Sequence, residues 1–186
     1  MSQDGPIERE LKFPCRDLNS LRDRLLEMSA ERVAASGFEE NWIFDHEGEL
    51  RDAGCLLRLR KDTQGSYIAF KGPMSFEGHT RIRVEQETGI ASSDTMHAIL
   101  EALGYQVERR YQKMREEWRL GGVTVALDHT PIGDYVEFEG EAAERVARRF
   151  GFAPDKAERR SYVRLYEDYR AAHPDAPDDM VFPDRG

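Results

Sequence analysis

Apolar and polar positions alternate with a period of two along most of this chain, the pattern of half-buried strands. It predicts strands over residues 6–13, 38–45, 55–62, 66–72, 79–88, 106–118, 122–130 and 134–140. Gln64-Gly65 and Gly121-Gly122 fall between paired strands, where hairpin turns belong. A period of 3.6 replaces the alternation in a few places. Residues 17–35 read as a helix, with Asp17 as its cap and Leu18, Leu21 and Leu25 on one face. Residues 93–103 read as a second, capped by Ser92 or Ser93, striped by Met96, Ile99, Leu100 and Leu103, and ended by Gly104. Two more follow near 141–150 and 161–171. The result is an α+β chain of about eight strands with helices packed outside, and a sheet that long curls or closes. The Pro- and Asp-rich residues 173–186 read as a loose acidic tail after one domain over 1–172.

The polar partners in this alternation are almost all charged. Glu8, Glu10 and Lys12 stand two apart, as do Arg58 and Arg60. The same spacing runs through Arg81, Arg83, Glu85 and Glu87, through Lys113, Arg115 and Glu117, and through Glu137 and Glu139. Residues two apart on a strand share a face. Several strands therefore carry a wholly charged face opposite an apolar one, as where Ile82 and Val84 flank Arg83. On an open sheet such a face meets solvent and pairs across strands. In a closed barrel it lines the interior, where its cations call for an anion and its glutamates for a cation. A triphosphate with Mg²⁺ or Mn²⁺ meets both needs.

With a net charge of −9, general binding of nucleic acid or an anionic membrane is not expected. Two unpaired-looking cysteines, Cys15 and Cys55, argue against a zinc site or a disulfide framework. No leading apolar segment or membrane span is apparent, so a cytoplasmic protein is expected. The five histidines show no metal-ligand spacing, and there is no Walker loop or serine elbow. Trp42, Phe44, Tyr67 and Phe70 read as core rather than as a base-stacking platform. Tyr162 reads as a packing residue that a helix plugging the tunnel would bring close to the site.

The order of motifs resembles the CYTH superfamily, the triphosphate tunnel metalloenzymes. The ExExK at Glu8, Glu10 and Lys12 is similar to that family's opening strand. LLRLRK (Arg58, Arg60), AFKGP (Lys71), RVEQE (Arg83, Glu85, Glu87) and KMREEW (Lys113, Arg115) follow in the family's order. So do VALDHTPIGDYVEFEG (Asp128, Gly133, Glu137, Glu139) and RSYVRLY. The resemblance spans residues 7 to about 166 and looks most like the class IV adenylyl cyclase and thiamine-triphosphatase branch.

It implies a closed eight-stranded antiparallel β-barrel, a tunnel, with helices outside. Lys12, Arg58, Arg60, Lys71, Arg83, Lys113 and Arg115 are then expected to bind the phosphates of a small-molecule triphosphate. Glu8, Glu10, Glu137 and Glu139 are expected to hold Mg²⁺ or Mn²⁺, with Glu85, Glu87 and Asp128 around a second position. Glu8, Glu10, Lys12 and Glu139 are the expected catalytic set, in a monomer or homodimer. Arg81 and Glu117 share these faces but receive no role from the resemblance. The implied activity is hydrolysis of the terminal phosphate of tripolyphosphate, thiamine triphosphate or a nucleoside triphosphate. The alternatives are a class IV adenylyl cyclase and a non-catalytic triphosphate- or polyphosphate-binding module. The full set of motif glutamates argues against the binding module.

Overall fold

The computed structural model describes residues 5–183. The chain begins with strand β1 (Ile7–Cys15), helix α1 (Leu18–Glu27) and the long strand β2 (Glu31–Asp45). The short helix α2 (Glu49–Asp52) leads into the hairpin β3 (Leu56–Lys61) and β4 (Ser66–Lys71). A three-residue strand β5 (Ser75–Glu77), β6 (Thr80–Ile90) and helix α3 (Ser93–Ala102) follow. The second half holds β7 (Gln106–Leu120), β8 (Val123–Thr130), β9 (Gly133–Glu139), α4 (Ala143–Arg149) and α5 (Tyr162–Ala172).

Eight strands hydrogen-bond in the order β1-β9-β8-β7-β2-β3-β4-β6, and a β1–β6 pairing closes the ring. Every pairing between these strands is antiparallel. β6 makes closure possible because it pairs with β4 along one edge and with β1 along the other. Its residues 85–90 pair with β4, and its residues 81–84 pair with β1. The expected eight-stranded barrel is therefore present, with β5 as a ninth strand hung on β6. Register shifts in β2 between Arg32 and Gly37 and at Ile43/Phe44 add local bends of the kind that let a sheet curl. At the β7–β8 turn, Gly121 and Gly122 both have positive φ (57° and 79°), which a two-residue primed turn requires.

The outer, apolar face of the ring is covered in two places, and a third cluster closes one end of its interior. Leu21 and Leu25 of α1 and Ala143, Val146 and Ala147 of α4 pack on Leu11, Phe13, Val125, Leu127, Val136 and Phe138. Leu100 of α3 packs with Phe44 and Leu59, with Trp42, Leu57 and Ile68 against them. Tyr162, Leu165 and Tyr166 of α5 join Ile43, Tyr111, Tyr135 and Met180. Asp17 and Ser92 cap α1 and α3 as the sequence predicts.

Two expectations are corrected, and two short elements are added. The helix predicted over 17–35 stops at Glu27, and residues 31–35 are strand. Local propensity favours helix in this alanine-containing stretch, but pairing with β7 (Glu31 opposite Arg119, Arg32 opposite Trp118) overrides it. The exposed-polar composition hid α2 and β5. In place of a loose tail, the stretch around Met180 docks on the barrel: Met180 is 1% exposed and exchanges backbone hydrogen bonds with Arg110 and Gln112 of β7. Tyr166 donates to the Pro177 carbonyl, and Phe182 stacks on His129. The apolar residues within the acidic run supply that docking. Residues 184–186 of the expected tail lie outside the described residues. Among the described residues, no helix is long and apolar enough to cross a membrane.

Candidate active site

Because residues two apart point the same way, the closed ring turns each charged face inward. They surround a cavity of about 520 Å³. Lys12, Arg58, Arg60, Lys71, Arg81, Arg83, Lys113 and Arg115 line it, together with Glu8, Glu10, Glu85, Glu87, Glu117, Glu137 and Glu139. The predicted cluster is thus brought to one space with two exceptions in detail. Arg81 and Glu117, given no role by the sequence, also line the cavity. Asp128 does not. It is 0% exposed and serves as a counter-ion behind the wall.

The two signs of charge are interleaved and mostly paired. Lys71 bridges Glu8 and Glu85, each at 3.0 Å. Arg58 and Arg60 both reach Glu87, at 3.1 and 3.0 Å. Arg81 pairs with Glu10, and Arg115 with Glu137. Lys12 stands 3.6 Å from Glu137. Arg83 is partly committed to backbone, donating from Nε to the Gly72 carbonyl at 2.8 Å. Apart from Arg83, the interior cations thus have carboxylate partners already, so a bound anion would exchange partners rather than relieve bare repulsion. Three guanidinium nitrogens still lack a hydrogen bond among the described residues: Nε of Arg58, Arg60 and Arg81, that of Arg60 standing 3.4 Å from Asp62.

Asp128 organises one wall. It accepts from Arg115 at 2.6–2.7 Å, from Lys113 at 3.2 Å, and from the Tyr162 hydroxyl at 2.7 Å. Those donors make it an anchor for two cations in this structure. Sequence reasoning missed Glu39 on β2, 2% exposed and 3.4 Å from Lys113. Burial opposes its ionisation, but Lys113 and Arg115 hold it down at about 2. Its place on a mostly uncharged stretch gave little signal. Tyr162, expected as packing, also lines the cavity: α5 lies across one end, its ring 4.0 Å from Lys12 Nζ. Lys12 in turn donates to the Arg160 carbonyl at 3.1 Å. Phe44 and Trp42 lie in the outer core as expected, while Tyr67 lies under Arg60.

Burial and neighbours split the carboxylates into two groups. Burial raises Glu8 and Glu137, but Lys71 and Arg81 on the first, and Arg115 and Lys12 on the second, keep both below the usual range. Glu10 goes the other way: burial outweighs Arg81, and Glu137 adds repulsion. Glu139 forms no hydrogen bond or ion pair among the described residues. Burial, then Glu8, Glu10 and Glu85, raise it to about 7. Its neighbours across the ladder are Glu10 on β1 and Thr124 on β8.

This uncompensated negative charge fits a divalent cation, and an all-oxygen donor set suits Mg²⁺ or Mn²⁺. In the present conformation the carboxylates are held by their basic partners. No group of three or more His, Cys, Asp or Glu among the described residues is gathered closely enough to grip an ion.

The sequence matches the CYTH domain over residues 6–160. The chain belongs to the CYTH family. This is a triphosphate tunnel family whose members generally use metal ions. A candidate adenylate cyclase from Vibrio parahaemolyticus superposes with a TM-score of 0.77 at 23% identity, covering 88% of this chain and 99% of that one. The PH1819 protein of Pyrococcus horikoshii superposes at 0.73 with 26% identity, covering 88% and 99%. HpAC1 of Hippeastrum, a candidate adenylyl cyclase with a dominant triphosphatase activity, superposes at 0.65 with 17% identity, covering 87% and 96%. These likenesses are of fold. No match was found among curated proteins.

Two outcomes follow for this CYTH protein. Asp128→Ala strands two buried cations and should cost about 3–5 kcal/mol in urea unfolding. Tyr162→Phe removes one hydrogen bond to a charged group and should cost about 1.5–3 kcal/mol. Equal effects of the two would contradict the anchor role. The second outcome concerns pH. The folded Glu139 carboxyl binds its proton more tightly than the unfolded one, whose value is about 4.3. Its contribution to stability is therefore full below about pH 4.3 and is lost as pH rises through about 7. In metal-free buffer, Glu139→Gln should flatten the fall in melting temperature between about pH 5 and 8. Parallel profiles for variant and wild type would refute the assignment.

Proposed function

We propose that this protein is a divalent-metal-dependent triphosphatase that removes the terminal phosphate of an inorganic or small organic triphosphate. The observation that carries this reading is the enclosed cavity in which eight basic side chains are interleaved with seven carboxylates. Phosphoryl transfer asks little covalent chemistry of a protein; positioning and charge stabilisation supply most of the rate.

Lys12, Arg58, Arg60, Lys71, Arg83, Lys113 and Arg115 bind the phosphate oxygens, the arginines with planar two-point contacts. The acceptor-free Nε of Arg58 supports this assignment. Glu8, Glu10, Glu137 and Glu139, with Glu85 and Glu87 beside them, would hold the metal. When bound, it neutralises phosphate charge and fixes the chain's orientation. Asp128 and Glu39 keep Lys113 and Arg115 in place.

Water then attacks the terminal phosphorus, the anhydride P–O bond breaks, and orthophosphate leaves separately from the shortened chain. Glu139, which has no ion-pair partner among the described residues, is the acceptor for the water's proton. Lys12, held against Tyr162, neutralises charge on the phosphates. Burial lowers its affinity for its own proton, although Glu137 opposes this.

The lining favours hydrolysis over cyclisation. A cyclase must hold a base and a ribose, but the aromatic side chains in the lining are Tyr111 and Tyr162, both buried. The Tyr162 hydroxyl is already tied to Asp128. Trp42 and Phe44 pack outside the barrel.

A substrate panel tests the reading. Tripolyphosphate, thiamine triphosphate and ATP are incubated with Mg²⁺ or Mn²⁺ while phosphate and cyclic AMP are followed. Metal-dependent phosphate release is expected. Cyclic AMP as the main product would instead identify a cyclase, and binding without turnover a binding module. Arg58→Ala should weaken tripolyphosphate binding by about 2–3 kcal/mol, the scale of a lost charged hydrogen bond, by calorimetry. Glu10→Gln should abolish turnover while the fold persists. Near-normal turnover in Glu10→Gln would remove that carboxylate from the site.

A further inference from the structure

Arg81 stands directly across from Glu10 in the β1–β6 ladder. Its terminal nitrogen donates to Glu10 Oε2. The glutamate is 5% exposed, and among the described residues Arg81 is its one ion-pair partner. Glu8 is held by Lys71, and Glu137 by Arg115 and Lys12. Arg81 also lines the cavity, and its Nε has no acceptor. Burial disfavours its charge, but Glu10, Glu8 and Glu137 together hold the guanidinium protonated. It therefore sits among three of the four carboxylates assigned above to a divalent ion. Two cations cannot share that space without strong repulsion in a partly desolvated interior.

We propose that Arg81 is an exchangeable counter-ion, which neutralises Glu10 in the metal-free protein, leaves it when a divalent cation binds, and then turns its guanidinium to the triphosphate. This rests on the triphosphatase reading above and adds to it a coupling between metal and substrate. Metal binding costs the Arg81–Glu10 pair and releases a phosphate ligand; the phosphate stabilises the released arginine and so favours the metal. Linkage makes the effect reciprocal. Arg81 is a positioning residue toward the metal and a binding residue toward the substrate.

The test is calorimetry on wild type, Arg81→Gln and Arg81→Lys, each checked by thermal melting. MnCl₂ alone should bind Arg81→Gln about tenfold tighter than wild type, because no resident cation must leave. Arg81→Lys, with a shorter cation, should gain less. Tripolyphosphate in EDTA should bind Arg81→Gln and wild type within about twofold, since without metal the arginine is held by Glu10. At saturating Mn²⁺ the variant should bind tripolyphosphate about tenfold more weakly. An equal loss with and without metal would make Arg81 a standing phosphate ligand and overturn the exchange. Mn²⁺ affinity no higher than wild type in the folded variants would overturn it too. If Arg81→Gln fails to fold, Arg81→Lys decides, and it must bind Mn²⁺ more tightly than wild type. Wild-type protein that binds neither Mn²⁺ nor tripolyphosphate overturns the triphosphatase reading itself.

Discussion

The pairing of opposite charges inside a closed sheet is the constraint on which this structure depends. Ring closure leaves no edge and no second solvent-facing side, so alternate residues of eight strands must enter the interior. Burying that many ionised groups singly would be prohibitive. The chain meets the cost by setting basic and acidic residues at alternate levels, so that Lys71 lies between Glu8 and Glu85 and Arg115 between Asp128 and Glu137. Outside the ring the ordinary hydrophobic rule holds: Phe13, Val136 and Phe138 are at most 2% exposed beneath α1 and α4.

This balance shapes what the cavity can do. A tunnel lined by cations alone would bind any anion and would be hard to fold without one. One lined by ion pairs can stand empty, and its ligands enter by exchanging partners. Such a lining selects ligands carrying both charges in the right order, as a chain of phosphates with a divalent cation does. The exceptions to the pairing mark where exchange begins. Among the described residues Glu139 has no ion-pair partner, and Arg81 is the one ion-pair partner of Glu10. The remaining pairs on one wall are tightened by Asp128, whose complete burial and four donor contacts make it part of the scaffold.

One end of the tunnel is closed by elements distant in sequence from the barrel's first strands. Ser161, Tyr162 and Val163 of the α5 end reach the cavity, and the segment after α5 straps that helix to β7 through Tyr166–Pro177 and Met180. The acidic composition of this last segment concealed its role. A few apolar side chains do the docking, helped by Asp179, which accepts from the Arg110 backbone, and by Asp178, which pairs with Arg170.

The sequence by itself determined most of the strands and which face of each is charged, because a period of two is a property of neighbouring residues. It also placed the caps of α1 and α3, and through the ordered motifs it named most of the cavity wall. Tertiary structure decided what depends on partners far along the chain. Pairing with β7 made residues 31–35 strand rather than helix, since ladder hydrogen bonds outweigh a local propensity of a few tenths of a kcal/mol per residue, in order-of-magnitude terms. Closure of β6 onto β1 brought Arg81 to Glu10. Packing of α5 over one end gave Tyr162 and Asp128 to each other. An alternating pattern states that a residue faces inward; only the ring's register states which opposite charge it meets there.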